Sequence, residues 1–167
     1  MRIYERTNLF WASLIWVVVC IFFISSAYIV QELAREFAKK HGSKVEFSED
    51  VMASTKEADV IYTDIWVSMG EPEEVWADRI EQLHPFQVNQ KVMDNAKEET
   101  IFMHCLPSFH DLNTTVGKEI YDKFGDKYEL NGMEVTEDVF LSHKSKVFDE
   151  AENRMHTIKA IMYATLK

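Results

Sequence analysis

Two hydrophobic periods alternate along most of this chain. From Gln31 to His41, Leu33, Phe37 and Ala38 recur at helical spacing, and Gly42 is placed to end that helix in a left-handed turn. Lys44-Val-Glu-Phe47 alternates polar and apolar, as a short strand does. Ser48 or Asp50 can cap a helix through Ala58. Asp59–Trp66 then reads as an apolar strand, too hydrophobic to be half exposed. Pro72 opens a helix through Leu83, where a first-turn proline is tolerated, and Asn89 starts another to about Ala96. Ile101–Leu106 is a second buried strand, stopped by Pro107. A helix over Val116–Phe124, a short strand at Met133–Val135 and a helix from about Lys146 to Leu166 complete the pattern.

Strands separated by helices of this length imply βαβ units and a mostly parallel sheet. The expected fold class is α/β, a three-layer αβα, Rossmann-like arrangement. In such sheets ligands bind beyond the carboxyl ends of the strands. That rule selects the segments after Asp59–Trp66 and after Ile101–Leu106.

Residues 1–30 do not follow this alternation. The 22 residues from Leu9 to Val30 carry no charge, and about 20 apolar residues suffice for a membrane-spanning helix. Arg2 and Arg6 precede the run, the arrangement that keeps an N-terminus cytoplasmic. Three readings stand for the segment. It is a membrane anchor through residues 9–30, a buried α/β element suggested by its β-rich runs, or non-native sequence. The domain division expected is an apolar segment 1–30 followed by a folded domain 31–167.

Charge sharpens the contrast. Residues 1–42 hold five Lys/Arg and three Asp/Glu, which leaves 13 basic against 25 acidic residues in 43–167, a net −12. Such an acidic body repels a phosphate backbone and excludes nucleic acid as a partner. It suits a cytoplasmic metabolic domain. Only two cysteines occur, Cys20 in the apolar run and Cys105 in a strand, so a disulfide framework is not expected.

Three segments carry candidate chemistry. The first strand leads into Asp64-Ile-Trp-Val-Ser68-Met69-Gly70, the second into His104-Cys105-Leu106-Pro107 followed by Phe109-His110-Asp111. The last helix begins Phe148-Asp-Glu-Ala-Glu-Asn153-Arg154-Met-His156-Thr157. Taken singly, each has an ordinary structural explanation. Asp64 would cap a turn, Cys105 would be a small hydrophobe in a strand, and Arg154 would lie on a solvated helix face. His104 and His156 would be structural histidines.

Together, in this order and spacing, the segments resemble the C-terminal, ornithine-binding domain of the ornithine carbamoyltransferases, from about Gln31 to Lys167. The Cys105 form of the second motif argues for the ornithine enzymes over their aspartate relatives, which carry proline there. The resemblance implies transfer of a carbamoyl group from carbamoyl phosphate to the δ-amine of ornithine, giving citrulline and phosphate, with no cofactor and no metal. It implies that Asp64 and Ser68 hold the α-amino end of ornithine beside the Met69 backbone. Cys105 and the Leu106 carbonyl would face the reacting groups, and Arg154 would donate to carbamoyl phosphate, making Cys105 and Arg154 the catalytic pair. The chemistry agrees, because an ammonium takes a carboxylate partner and a developing oxyanion takes a fixed guanidinium. A thiol beside that arginine is expected to have a lowered pKa.

The family builds its site from two domains and from neighbouring subunits of a homotrimer. Its Ser-Thr-Arg-Thr-Arg phosphate loop and His-Pro-x-Gln segment do not occur in this chain, nor does the Asp-x-x-Asn-Asn segment of its first ornithine-domain strand. The sheet is therefore expected to be incomplete at its N-terminal side, and the chain to be a truncated form lacking the carbamoyl-phosphate domain. Two functions follow. One is an enzyme completed by a separate N-terminal half, and the other is an inactive remnant or membrane-tethered binding fragment.

Overall fold

The computed structural model describes residues 28–68, 71–72 and 74–166. The greater part of the apolar run, residues 9–27, and Met69 lie outside the described residues. The described residues fall into two compact units, 28–47 and Ser48 onward.

In the first unit, helix α1 covers residues 28–41 and stops at Gly42, whose φ of +71° is the left-handed turn expected of a helix-ending glycine. The strand expected at Lys44–Phe47 does not form. Val45 and Phe47 are both exposed, and no described strand pairs with them. Alternation alone cannot hold so short a strand without a partner edge.

The second unit starts with Asp50, whose carboxylate accepts from the Ala53 N–H at 2.9 Å and caps α2, Val51–Thr55. The helix stops short of Ala58 because Glu57 turns left-handed, at φ +58°. Strand β1 is Val60–Thr63, and helix α3, Glu74–Leu83, follows. A 3₁₀ turn at His84–Phe86 leads to α4, Gln90–Asn95, capped by the Asn89 side chain on the Val92 N–H. Strand β2, Ile101–His104, runs parallel to β1 with Val60 opposite Ile101 and Thr63 opposite His104. Helix α5, Thr115–Ile120, continues through a π-helical turn, Tyr121–Gly125, into α6, Asp126–Tyr128. Helices α7, Glu137–Phe140, and α8, Val147–Thr165, end the unit.

The expected α/β class with a parallel, Rossmann-like sheet is what forms, but two strands carry it among the described residues. β1 has no strand partner other than β2 among the described residues. β2 gains a single-residue pairing at Ser145, where the Phe102 N–H bonds to the Lys144 carbonyl and the Lys146 N–H to that of Phe102. The strand expected at Met133–Val135 shrinks to one pairing, Val135 with Val88. The chain enters α7 immediately afterwards, which leaves no length for a ladder.

Ile61, Phe102, Val92, Met93, Val135 and Val139 form one core cluster beneath the sheet. A second gathers Trp66, Val67, Ile80, Ile120, Leu130 and Met133. The opposite sheet face departs from expectation. Val60 and Tyr62 are 48% and 52% exposed, so β1 is half exposed after all. Period two sends them to the face away from the Ile61 cluster, where α8 packs mainly against β2 and meets β1 through the Tyr62–Glu150 hydrogen bond.

Candidate active site

Parallel neighbours bring their carboxyl ends to one side, so Asp64, just after β1, and Cys105, just after β2, become adjacent. The Cys105 thiol donates to Asp64 Oδ1 at 2.9 Å, and the Ile65 N–H donates to the same oxygen at 2.7 Å. These two bonds, the thiol's first, hold the Asp64 carboxyl below the usual carboxylate range.

The thiol shifts the other way from what the sequence suggests. Desolvation, followed by the hydrogen bond and charge of Asp64, pushes the Cys105 pKa up. The expectation of a lowered value weighed Arg154 and overlooked the carboxylate, which is the group in hydrogen-bond contact. At neutral pH Cys105 is therefore a thiol and a donor.

Arg154 lies on α8 across an open cleft of about 410 Å³, lined by Tyr62, His104, Cys105, Glu150, Asn153 and Arg154 among others. Glu150, Arg154 and Ile158 are spaced by four, so one face of α8 forms a wall of the cleft. Leu106 follows Cys105 with φ +46°, a left-handed conformation that leucine rarely adopts. Ser68 follows the buried pair Trp66 and Val67 in the chain, and its backbone N–H donates to Glu71 Oε2 at 2.7 Å. It is not among the residues lining the cleft. The structure thus joins Asp64 with Cys105 directly and Cys105 with Arg154 through the cleft, while Ser68 stays outside it.

Sequence reasoning missed three groups here. Tyr62 Oη donates to Glu150 Oε1 at 3.1 Å, and desolvation with the Glu150 contact raises its pKa to about 12. Two signals were available: Tyr62 precedes Asp64 by one strand period, and Glu150 precedes Arg154 by one helical turn. The third is Glu134, which anchors the segment after Cys105 through Ser108 and Phe109. Nothing near it in sequence marks it. Among the described residues no group of three or more His, Cys, Asp or Glu is arranged to hold a metal ion. No described helix is long and apolar enough to cross a membrane.

The family model for the aspartate/ornithine carbamoyltransferase Asp/Orn binding domain matches residues 16–165. The chain belongs to this family. The match takes in residues 16–30, so it reaches further toward the N-terminus than the motifs do. The chain is 62% identical over 133 residues to a catabolic ornithine carbamoyltransferase of Treponema denticola, covering 80% of this chain and 38% of that protein. It is 55% identical over 133 residues to the ornithine carbamoyltransferase of Borreliella burgdorferi, covering 80% and 39%. Among solved structures it resembles the ornithine carbamoyltransferase of Pyrococcus furiosus, with a TM-score of 0.64, 38% identity, and 81% of this chain against 36% of that one. The chain therefore spans well under half the length of these relatives. What it shares with them is the ornithine-binding domain of the C-terminal half.

Proposed function

We propose that this chain is the ornithine-binding part of a carbamoyltransferase and that it turns over only beside a carbamoyl-phosphate-binding half. The observation that carries the reading is the Cys105 to Asp64 hydrogen bond at adjacent strand ends, with Arg154 across the same cleft. Asp64, kept ionised, is a partner for the α-ammonium of ornithine, and Ser68 and Met69 are the further contacts for that end of the substrate. In the reaction the neutral δ-amine attacks the carbamoyl carbon. A C–N bond forms, the C–O bond to phosphate breaks, and the nitrogen's proton passes to the departing phosphate. The Cys105 thiol and the Leu106 carbonyl face these groups, and Arg154 stabilises negative charge on the carbamoyl phosphate oxygens. Carbamoyl phosphate itself needs several fixed donors, and the family's phosphate loop is not in this sequence. The homotrimer of the family and a separate N-terminal half are the partners this reading calls for.

That missing loop also favours a second reading, a fragment that binds ornithine without turnover. Ornithine binding is common to both and is tested by protection. Ornithine should slow alkylation of Cys105 several-fold in the native chain and leave the rate unchanged in Asp64→Ala. Equal rates with and without ornithine in the native chain would remove the ornithine site altogether.

A further inference from the structure

Glu134 is the most deeply buried carboxylate among the described residues, with a side chain wholly shielded from solvent. Burying a carboxylate is costly unless donors meet it. Its Oε1 accepts from the Phe109 N–H at 2.6 Å and from Ser108 Oγ at 2.8 Å, both from the segment that follows Cys105. His104 Nε2 lies 3.3 Å from the same oxygen, and its side chain is equally shielded. The other ring nitrogen, Nδ1, accepts from the Leu106 N–H at 2.9 Å. Nδ1 is therefore the ring's acceptor, while Nε2 and the second oxygen of Glu134, Oε2, are buried without a hydrogen bond of their own.

We propose that Glu134 and His104 form a buried clamp that fixes the Cys105–Phe109 turn, making both of them positioning residues for the Cys105 thiol and the Leu106 carbonyl. The two acceptors hold successive donors of that turn: Leu106 N–H, Ser108 hydroxyl and Phe109 N–H. Between them sits Leu106 at its left-handed φ of +46°, a conformation that persists only where its surroundings over-determine it. The chain is brought under the turn by Gly132, at φ +92°, where any Cβ would overlap the Val135 carbonyl oxygen. The Met133 N–H then bonds the Phe109 carbonyl at 2.7 Å, and Gln87 Nε2 secures the Met133 carbonyl at 2.8 Å. Glu134 is thereby locked to the core before its carboxylate reaches the turn. Because Cys105 lies between His104 and Leu106, a loosened turn releases its thiol from Asp64. The clamp rests on the functional reading only for the use made of that thiol and carbonyl.

The test reads the thiol directly, in the full chain carrying Cys20→Ser so that Cys105 alone reacts. The groups facing that thiol are Asp64, Tyr62, His104, Glu150 and Arg154. Alkylation by iodoacetamide is followed from pH 7 to 10, with thermal melting alongside. His104→Leu and Glu134→Leu, which remove the acceptors, should raise the rate at pH 8 by about tenfold, one pH unit in the ionisation midpoint. His104→Asn and Glu134→Gln, which keep an acceptor oxygen, should stay within about twofold of the parent. Leucine variants that melt cooperatively yet react at the parent rate would overturn the clamp, as would Asn and Gln variants that react like the leucine ones. If the leucine variants fail to fold, Ser108→Ala decides, since it removes one donor from a partly exposed site. About a threefold rise supports the clamp and an unchanged rate rejects it. A failure of the functional reading shows separately, as an absence of ornithine protection in the parent chain, whatever the variants do.

Discussion

A thiol pressed against a carboxylate behaves unlike a thiol beside a guanidinium, and Cys105 shows which neighbour dominates. Asp64 accepts its hydrogen bond at 2.9 Å and, after desolvation, is what raises its pKa. Asp64→Asn removes the negative charge, so the thiolate becomes easier to form and the pKa must fall. Alkylation of Cys105 at pH 8 should rise several-fold in that variant, and kinetics over a pH series would show it. Tyr62 gives a second residue-level check. Its phenol is pushed up to about 12 by desolvation and by Glu150, whereas an unfolded tyrosine ionises near 10. The folded state therefore favours the protonated phenol. Its contribution to stability is complete below pH 10 and is lost as pH rises through 12. Ultraviolet titration should show one late tyrosinate that disappears in Tyr62→Phe. Of these residues, Asp64, Cys105 and Arg154 were legible in the sequence because each lies in a recognisable motif. Glu134 was not, since the turn it holds lies 25 residues away in the chain.

At the scale of elements, legibility followed local chemistry. The capping side chains of Asp50 and Asn89 announced α2 and α4, and both make their bonds. Asn89→Ala should cost about 1 kcal/mol in urea unfolding, because only one helix-end N–H loses its partner. Phe102→Ala, at the fully buried centre of β2, should cost about 3–5 kcal/mol through cavity formation. Similar costs for the two would contradict the packing described. The elements misjudged were those that depend on distant partners. Lys44–Phe47 alternates like a strand but has no described strand to pair with, and Met133–Val135 keeps one pairing before α7 begins. The exposed face of β1 was hidden for the same reason. Val60 and Tyr62 are apolar enough to be covered, yet sequence composition says nothing about which side the helices take.

At the scale of the whole chain, the apolar row exposed on α8 and the share of its relatives that it spans are the two leading facts. α8 and its C-cap Leu166 present Met155, Ile158, Ile161, Met162 and Leu166 at exposures of 48–79%, more than a solitary domain usually leaves in one row. The purified chain should therefore self-associate, and Ile161→Lys with Leu166→Lys should reduce the effect in sedimentation velocity. Its motifs match 38% of the length of the Treponema relative, and on the proposed reading they supply one arginine toward carbamoyl phosphate where the family's phosphate loop would supply more. Losing several such donors, each worth about 3 kcal/mol, removes many powers of ten in rate. The deciding measurement is citrulline formation from ornithine and carbamoyl phosphate, by the chain alone and with a separately expressed carbamoyl-phosphate-binding half. The chain alone should show no turnover, and the pair should show turnover that is lost on Arg154→Ala. Turnover by the isolated chain, abolished by Asp64→Ala, would contradict the proposed function.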